Sequence, residues 1–352
     1  MMKSISFKDA IDQTFKSKDI WNYYNGEEEF TENPMLSIEK SKEFIRNFIK
    51  LSRKSENELN RQIDKIEMRT THIVSTFFIG HYIYKNNEKI KTSINEQLEN
   101  LKQKWKVKSN VNFSFIWFLT CLFHDLGYAI EEKDIRYNSL ETLKKEQGES
   151  MIELMEVEGI PTFYKDIHSH YYDYRIKHHQ KNDHGITAAY LLFDSLCKIR
   201  TFEENKGQSS LCWEKELENV YNFCAWNILA HNIWFCNESD KEKVEKYKNF
   251  HLDELILDDT SESKYKISLK EHPFFFFLCL VDTIEPYKRI KDYEKLSKIK
   301  LKMSDEKIEI ISELENNEEK KVLDQVESLK KWLTPVKRTN KVTIYLTPKK
   351  GN

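Results

Sequence analysis

Along most of the chain, apolar positions recur every three or four residues; from about residue 294 they recur every second residue. The first spacing predicts helices over roughly 36–54, 55–86, 92–105, 111–130, 138–157, 184–200, 211–236 and 270–292. The segment "KIKLKMSDEKIEIISEL" alternates apolar and polar residues on both sides of "SDEK", as the two strands of a hairpin do. A helical stretch, "EEKKVLDQVESLKKWL", and a short strand, "KVTIYL", follow it. The first 35 or so residues, with the loop-like "NGEEEFTENP", show neither period and read as irregular. The expectation is a mainly α protein: a helical domain over 1–292 and a small α+β appendage of ββαβ order over 293–352.

Composition narrows this picture. The 352 residues are 39% hydrophobic and 13% aromatic, enough for a sizeable core. Eight glycines and six prolines are few for this length, which suits long helices. The net charge of −2 excludes nucleic-acid binding driven by a bulk positive excess. Six cysteines are scattered with no close pair and several sit in apolar runs, as reduced thiols of a cytoplasmic protein do. The longest apolar run, "PFFFFLCLV", is too short to span a bilayer, so no membrane partner is expected. A homo-oligomer is left open.

The chemistry begins at "FLTCLFHDLGYAI", residues 118–130, where His124 and Asp125 interrupt an apolar segment. An ionised carboxylate buried without a partner costs several kcal/mol or more, so other groups must meet it. Four further segments offer them. "MRTTHIVSTFFIGHYIY" carries His72 and His81, nine residues apart; on one helix that is about 900°, so they face opposite ways and one of them can join the doublet. Asn182 or Asp183 can cap a helix that starts an apolar stripe at Ile186, with His184 in its first turn. Leu217, Val220, Cys224, Ile228 and His231 form an inward stripe that ends in a histidine. Asp282 closes the Phe-rich run. A single histidine on an apolar face is more often a hydrogen-bonded core residue. Five such coincidences on separate apolar helices are satisfied together by a metal, which neutralises carboxylates and takes neutral imidazole.

The order His, His-Asp, His, His, Asp resembles the HD superfamily of metal-dependent phosphohydrolases. The resemblance is carried by "RTTH" (69–72), "FHDLGY" (123–128), "NDHGITAAYLL" (182–192), "LAHN" (229–232) and "LVDTIEPYKR" (280–289), roughly 60–290 of the chain. It favours His72 over His81, because the family often places an arginine three residues earlier, as Arg69 stands here. It implies an HD-type helical bundle in which His72, His124, Asp125 and Asp282 hold one ion. Asp125 then bridges to a second ion held by His184 and His231. The chain departs from the family where many relatives have a lysine after His-Asp-x-Gly: Tyr128 stands there. Tyrosine donates a hydrogen bond but brings no cation, so phosphate contact falls to Arg69, Tyr128 or Arg289, with Arg175 and Lys177 as further candidates.

Two divalent ions about 3.5–4 Å apart lower the pKa of a shared water, and the hydroxide attacks phosphorus in line. Histidine and carboxylate ligands suit Mn, Fe, Ni or Zn better than an all-oxygen Mg site. His124 and Asp125 are the expected catalytic centre, and His178 or His179 the donor to the leaving oxygen. The expected substrate is a phosphoester of a nucleotide, cyclic nucleotide or nucleic acid. Aromatics such as Tyr171, Trp234 and Tyr287 could stack on a base, and the basic stretch from Lys330 onward could meet a phosphate backbone. Two other functions fit the same ligand set: a di-iron oxygenase, and a non-catalytic metal- or nucleotide-binding signalling module.

Overall fold

The computed structural model describes residues 3–17, 20, 32–51, 57–131, 138–147, 154–206, 214–258 and 265–347. The first part of the chain runs β1 (Lys3–Ser6), α1 (Phe7–Phe15), α2 (Ile38–Leu51), α3 (Asn57–Lys65), α4 (Glu67–Asn86), α5 (Glu88–Trp105) and α6 (Phe113–Cys121). Then come α7 (Tyr128–Glu131), α8 (Leu140–Gln147), α9 (Phe163–His179), α10 (His184–Asn205) and α11 (Leu217–His231). The last part runs β2 (Cys236–Asn237), α12 (Lys241–Lys248), β3 (Ile256–Leu257), α13 (Pro273–Ile284), α14 (Tyr287–Ile290), β4 (Ile299–Ser304), β5 (Lys307–Ser312), α15 (Asn316–Glu327), β6 (Val336–Arg338) and β7 (Val342–Tyr345). The protein is mainly helical, with a small antiparallel sheet built chiefly from its last third. No helix of the described residues is long and apolar enough to cross a membrane.

Helix α4 runs through the middle of the helical body. Its residues from Thr70 to Ile83 are buried on every side, the pattern of a helix surrounded by others. It packs against α1, α2, α5, α6 and α13. Phe44, Phe48, Phe77, Phe78 and Phe118 interlock there, with Phe48 and Phe118 4.7 Å apart edge to face. Trp117 is fully buried, stacks near-parallel to Phe113 and donates its indole N–H to the Phe77 carbonyl at 3.0 Å. Pro273 opens α13, where its missing N–H costs nothing, and four phenylalanines follow inside the core. Helices α10 and α11 lie along one another and close the body on the other side of α6.

Several expected helices end where local chemistry stops them. The 55–86 pattern divides into α3 and α4 at Ile66, with residues 55 and 56 outside the described ones. The 111–130 pattern breaks after Cys121 into a series of tight turns, Leu126 N–H to Phe123 O and Tyr128 N–H to Asp125 O. The break occurs at the polar doublet. Of the expected 138–157 helix, 140–147 is helical, 148–153 lies outside the described residues and 154–157 is irregular. The expected 211–236 helix stops at His231, and 211–213 is not described. Pro286 separates α13 from α14 within 270–292.

The N-terminal stretch is not irregular as expected: it holds β1 and α1, with Ser6 capping α1 by accepting from the Asp9 N–H at 3.0 Å. Helix α9 has no counterpart among the expectations. Its buried positions, Tyr164, Ile167, Tyr171, Tyr172 and Tyr174, are mostly tyrosines in a polar sequence rather than aliphatic residues. The appendage is richer than ββαβ. Its sheet runs β1-β4-β5-β7-β6, all antiparallel, so it takes one strand from the other end of the chain. Ile5 faces Leu301, Leu301 faces Ile310, and Ile308 faces Ile344. Helix α15 contributes Val322, Leu323 and Val326 to its cover, and α1 packs on both β4 and α4.

Gly80 sits where α4 meets the Trp117 ring, and a Cβ built there overlaps the indole. Gly80→Ala is expected to destabilise the protein by about 1–3 kcal/mol through overpacking, read as a lower midpoint in urea unfolding with an unchanged slope.

Candidate metal centre

Four helices and one turn bring six side chains to one place. His72 comes from α4, His124 and Asp125 from the turns after α6, His184 from the first position of α10, His231 from the last position of α11 and Asp282 from α13. His72 Nε2 lies 3.0 Å from Asp282 Oδ1 and 3.8 Å from Asp125 Oδ2. His124 Nε2 lies 3.5 Å from Asp282 Oδ1 and 3.6 Å from Asp125 Oδ1. His184 Nε2 is 3.5 Å from Asp125 Oδ1, and the His231 ring centre is 5.2 Å from that of His124. In each of two overlapping sets, His72–His124–Asp282 and His124–Asp125–His231, the donor atoms lie within 4.8 Å of one another. These residues could hold a metal ion. His81, the rival of His72, instead packs edge-on between Phe77 and Phe113 on the far side of α4. Burial alone lowers its pKa to about 3.

Three of the four imidazoles, those of His72, His124 and His231, are aimed by a second contact. His124 donates Nδ1–H to the Cys121 carbonyl at 2.6 Å, and His231 donates its own to the Ile228 carbonyl at 2.5 Å. These bonds fix the tautomer that leaves Nε2 as a bare lone pair. His124 Nε2 and Asp125 Oδ2 are buried atoms with no hydrogen-bond partner among the described residues. An orphaned base and an orphaned anion side by side are the condition a divalent cation relieves, and N/O donors of this kind fit Mn, Fe, Ni or Zn. Asp183, buried, caps α10 through the Ile186 N–H at 2.9 Å and accepts from Asn232 at 2.6 Å. It thereby ties the end that presents His184 to the end that presents His231.

Two participants escaped the sequence reading. Glu285, fully buried, accepts from Ser75 Oγ at 2.6 Å and from the backbone N–H groups of Tyr287 and Lys288, and pairs with His72 Nδ1 at 2.6 Å. It is the carboxylate that orients a ligating imidazole. Its signal was available: an acid three residues after Asp282, where the apolar run is still inside the core. Lys288 lies 3.4 Å from Asp282 Oδ1.

The charges hold one another in place. For Asp282 and Asp125 burial opposes ionisation. Lys288 and the His124 and His72 imidazoles beside Asp282, and His124, Lys288 and His184 beside Asp125, outweigh it, so both carboxyls stay well below the usual range. Burial and the Lys288 charge act to lower the His72 pKa, but its hydrogen bonds to Asp282 and Glu285 carry it up to about 9. Burial, with the neighbouring imidazoles of His124 and His184, lowers His231 to about 3 and keeps it neutral.

His72, His184, His231 and Asp282 line a cavity of about 1080 Å³, with His124 and Asp125 packed against them. Arg69, Arg175, Lys288, Arg289, Lys291 and Lys321 line it, against Asp282 and Asp324 as the acids. Tyr128 stacks on the His184 ring with centroids 3.8 Å apart, and the Arg69 guanidinium lies 4.1 Å from the centre of the Tyr128 ring. Arg289 also lines the cavity but is exposed and donates to Gln325 at 2.6 Å. His179 does not reach the cavity. It sits exposed at the end of α9 against Tyr174, as do His178 and Lys177, so the expected donor to the leaving group is misplaced. Lys337, Arg338 and Lys341 of the basic C-terminal stretch belong to the sheet, where Arg338 pairs with Asp324 and Glu327 and Lys341 with Glu309. Residues 348–352 lie outside the described ones. No family model, curated protein or solved structure matches this chain.

Metal uptake must displace the His72 proton. Metal-depleted protein in weak buffer is therefore expected to release protons when Mn²⁺ or Zn²⁺ is added. Apparent affinity should climb with pH until about 9, because below that value His72 is protonated and must lose its proton to ligate. Calorimetry in buffers of different ionisation enthalpy checks this, and affinity that is flat between neutral pH and 9 would remove His72 from the ligand set.

Proposed function

We propose that this chain is an HD-type metal-dependent phosphohydrolase acting on a phosphoester of a nucleotide or nucleic acid, with two divalent ions held by His72, His124, Asp125, His184, His231 and Asp282. One observation carries the reading: His72, His184, His231 and Asp282 line a large cavity whose other walls are rich in cations, and within 4 Å of them lie His124 Nε2 and Asp125 Oδ2, buried and without a hydrogen-bond partner among the described residues. That pairing of cation-seeking and anion-seeking surface suits a phosphate group bound between metal and arginine or lysine. A sensor or scaffold has no need for both in one cleft.

When bound, the ions supply Lewis acidity toward the phosphate oxygens and make water a better nucleophile near neutral pH. The chain's own residues do the rest. Glu285 holds the His72 ring so that Nε2 faces the site. Asp183 and Asn232 hold the α10 and α11 ends in register. Arg69, braced over the Tyr128 ring and 3.9 Å from Asp125, and Lys288 are placed to neutralise non-bridging phosphate oxygens. Trp234, 41% exposed at the wall of the cavity, offers a face for a base.

With Mn²⁺ restored to metal-depleted protein, turnover of bis(p-nitrophenyl) phosphate is expected. Asp125→Ala and His124→Ala should lose about 10³-fold or more in kcat while keeping the wild-type circular dichroism. Glu285→Gln, which loosens His72 without removing a ligand, should cost about 10–100-fold in metal affinity or rate. Oxygen uptake by iron-loaded protein, with no phosphoester hydrolysed under any metal, would overturn this assignment in favour of an oxygenase.

A further inference from the structure

The C-terminal sheet and its helix form part of the cavity wall. Lys321, Asp324 and Gln325 of α15, and Ser328 just after it, line the same space as His72, His184, His231 and Asp282. Gln325 fastens them there. Its amide donates to the carbonyl of Thr283, the residue after Asp282, at 2.5 Å, and its oxygen accepts from Arg289 at 2.6 Å. A helix held by the backbone beside a metal-site carboxylate is placed to read what enters the cleft.

Of the six described cations of the cavity, Arg289 is held by Gln325 and the other five fall into two groups. The inner ones are already matched to carboxylates of the site: Arg69 to Asp125 at 3.9 Å, Lys288 to Asp282 at 3.4 Å and Arg175 to Asp183 at 3.7 Å. Lys291 and Lys321 have no carboxylate within 4.0 Å among the described residues, although α15 carries acids close by in sequence. Three of the four acids of α15 are engaged elsewhere: Glu318 pairs with Lys295, and Asp324 and Glu327 with Arg338. Lys291 sits at φ 54°, the left-handed cap of α14 that favours glycine, so a cation stands where the backbone alone would select a smaller residue.

Resting on the phosphohydrolase reading, we propose that Lys291 and Lys321 form a second anion subsite, supplied partly by the appendage, and that the substrate is a phosphoester carrying a further phosphate beyond the one cleaved. The inner cations with the metals take the scissile group, and the outer pair takes the second. The appendage is thereby a specificity element of the active site.

The test compares wild type with the Lys291→Gly/Lys321→Gln protein, whose changes suit the left-handed cap and an exposed helical position. Two Mn²⁺-dependent substrates are used: bis(p-nitrophenyl) phosphate, with one phosphate, and the 5′-phosphorylated dinucleotide pTpT, with two. The double variant should hold kcat/KM for the first within about twofold and raise KM for the second by about tenfold or more, with kcat unchanged. Binding of inorganic tripolyphosphate to the metal-depleted protein, followed by calorimetry, should weaken by a similar factor. Equal losses on both substrates, or no loss on either with unaltered tripolyphosphate binding, would overturn the subsite. If wild type hydrolyses neither compound, the phosphohydrolase reading fails on its own; unaltered tripolyphosphate binding by the variant would then overturn the subsite independently, and weakened binding would sustain it.

Discussion

The arrangement depends on the enclosure of negative charge. Asp125, Asp282 and Glu285 are gathered inside the helical body, where an uncompensated carboxylate is several kcal/mol unfavourable. Imidazoles, a lysine and backbone N–H groups offset part of that cost, and they must arrive from distant parts of the chain to do so. The turn at 122–127, the cap at Asp183 and the stop at Pro286 can each be read as a means of bringing one donor to the acids. The helices between them supply the rigidity that keeps separations of 3–4 Å from drifting.

What is left over after this internal compensation is informative. Among the described residues, His124 Nε2 and Asp125 Oδ2 have no hydrogen-bond partner, Arg69 standing off Asp125 Oδ2 at 3.9 Å, and Lys291 and Lys321 have no carboxylate within 4.0 Å at the cavity wall. For the buried pair, apolar residues of similar size would make a more stable core than a half-satisfied polar site, and His and Asp groups so placed could hold a metal ion.

The helical body was legible because its apolar residues keep a period, and the candidate metal donors because each interrupts such a run. His72, His124, Asp125, His184, His231 and Asp282 could all be named before their geometry was known. Their partners were harder. Glu285 and Lys288 lie beside a recognised motif, yet nothing in a linear string says that one faces an imidazole and the other a carboxylate across α4 and α13. Helix α9 was missed because its inward face is made of tyrosine, whose hydroxyl makes the segment read as polar. His179 was over-read for the same reason: a histidine next to the motif in sequence points to solvent once α9 is drawn as a helix. Strand β1, four residues long, carries too little pattern to declare itself without its partner.

That short strand sets the order in which the protein can be finished. Lys3–Ser6 hydrogen-bonds to β4, whose residues 299–304 leave the ribosome about 300 positions later. At about 5–20 residues per second, the opening segment waits roughly 15–60 s for its mate. Helix α15, which walls the cleft, comes later still. Asp282, the last of the six candidate donors, precedes the start of α15 by 34 positions, about 2–7 s of synthesis, so both ends of the cleft emerge almost together and the long wait belongs to β1 alone.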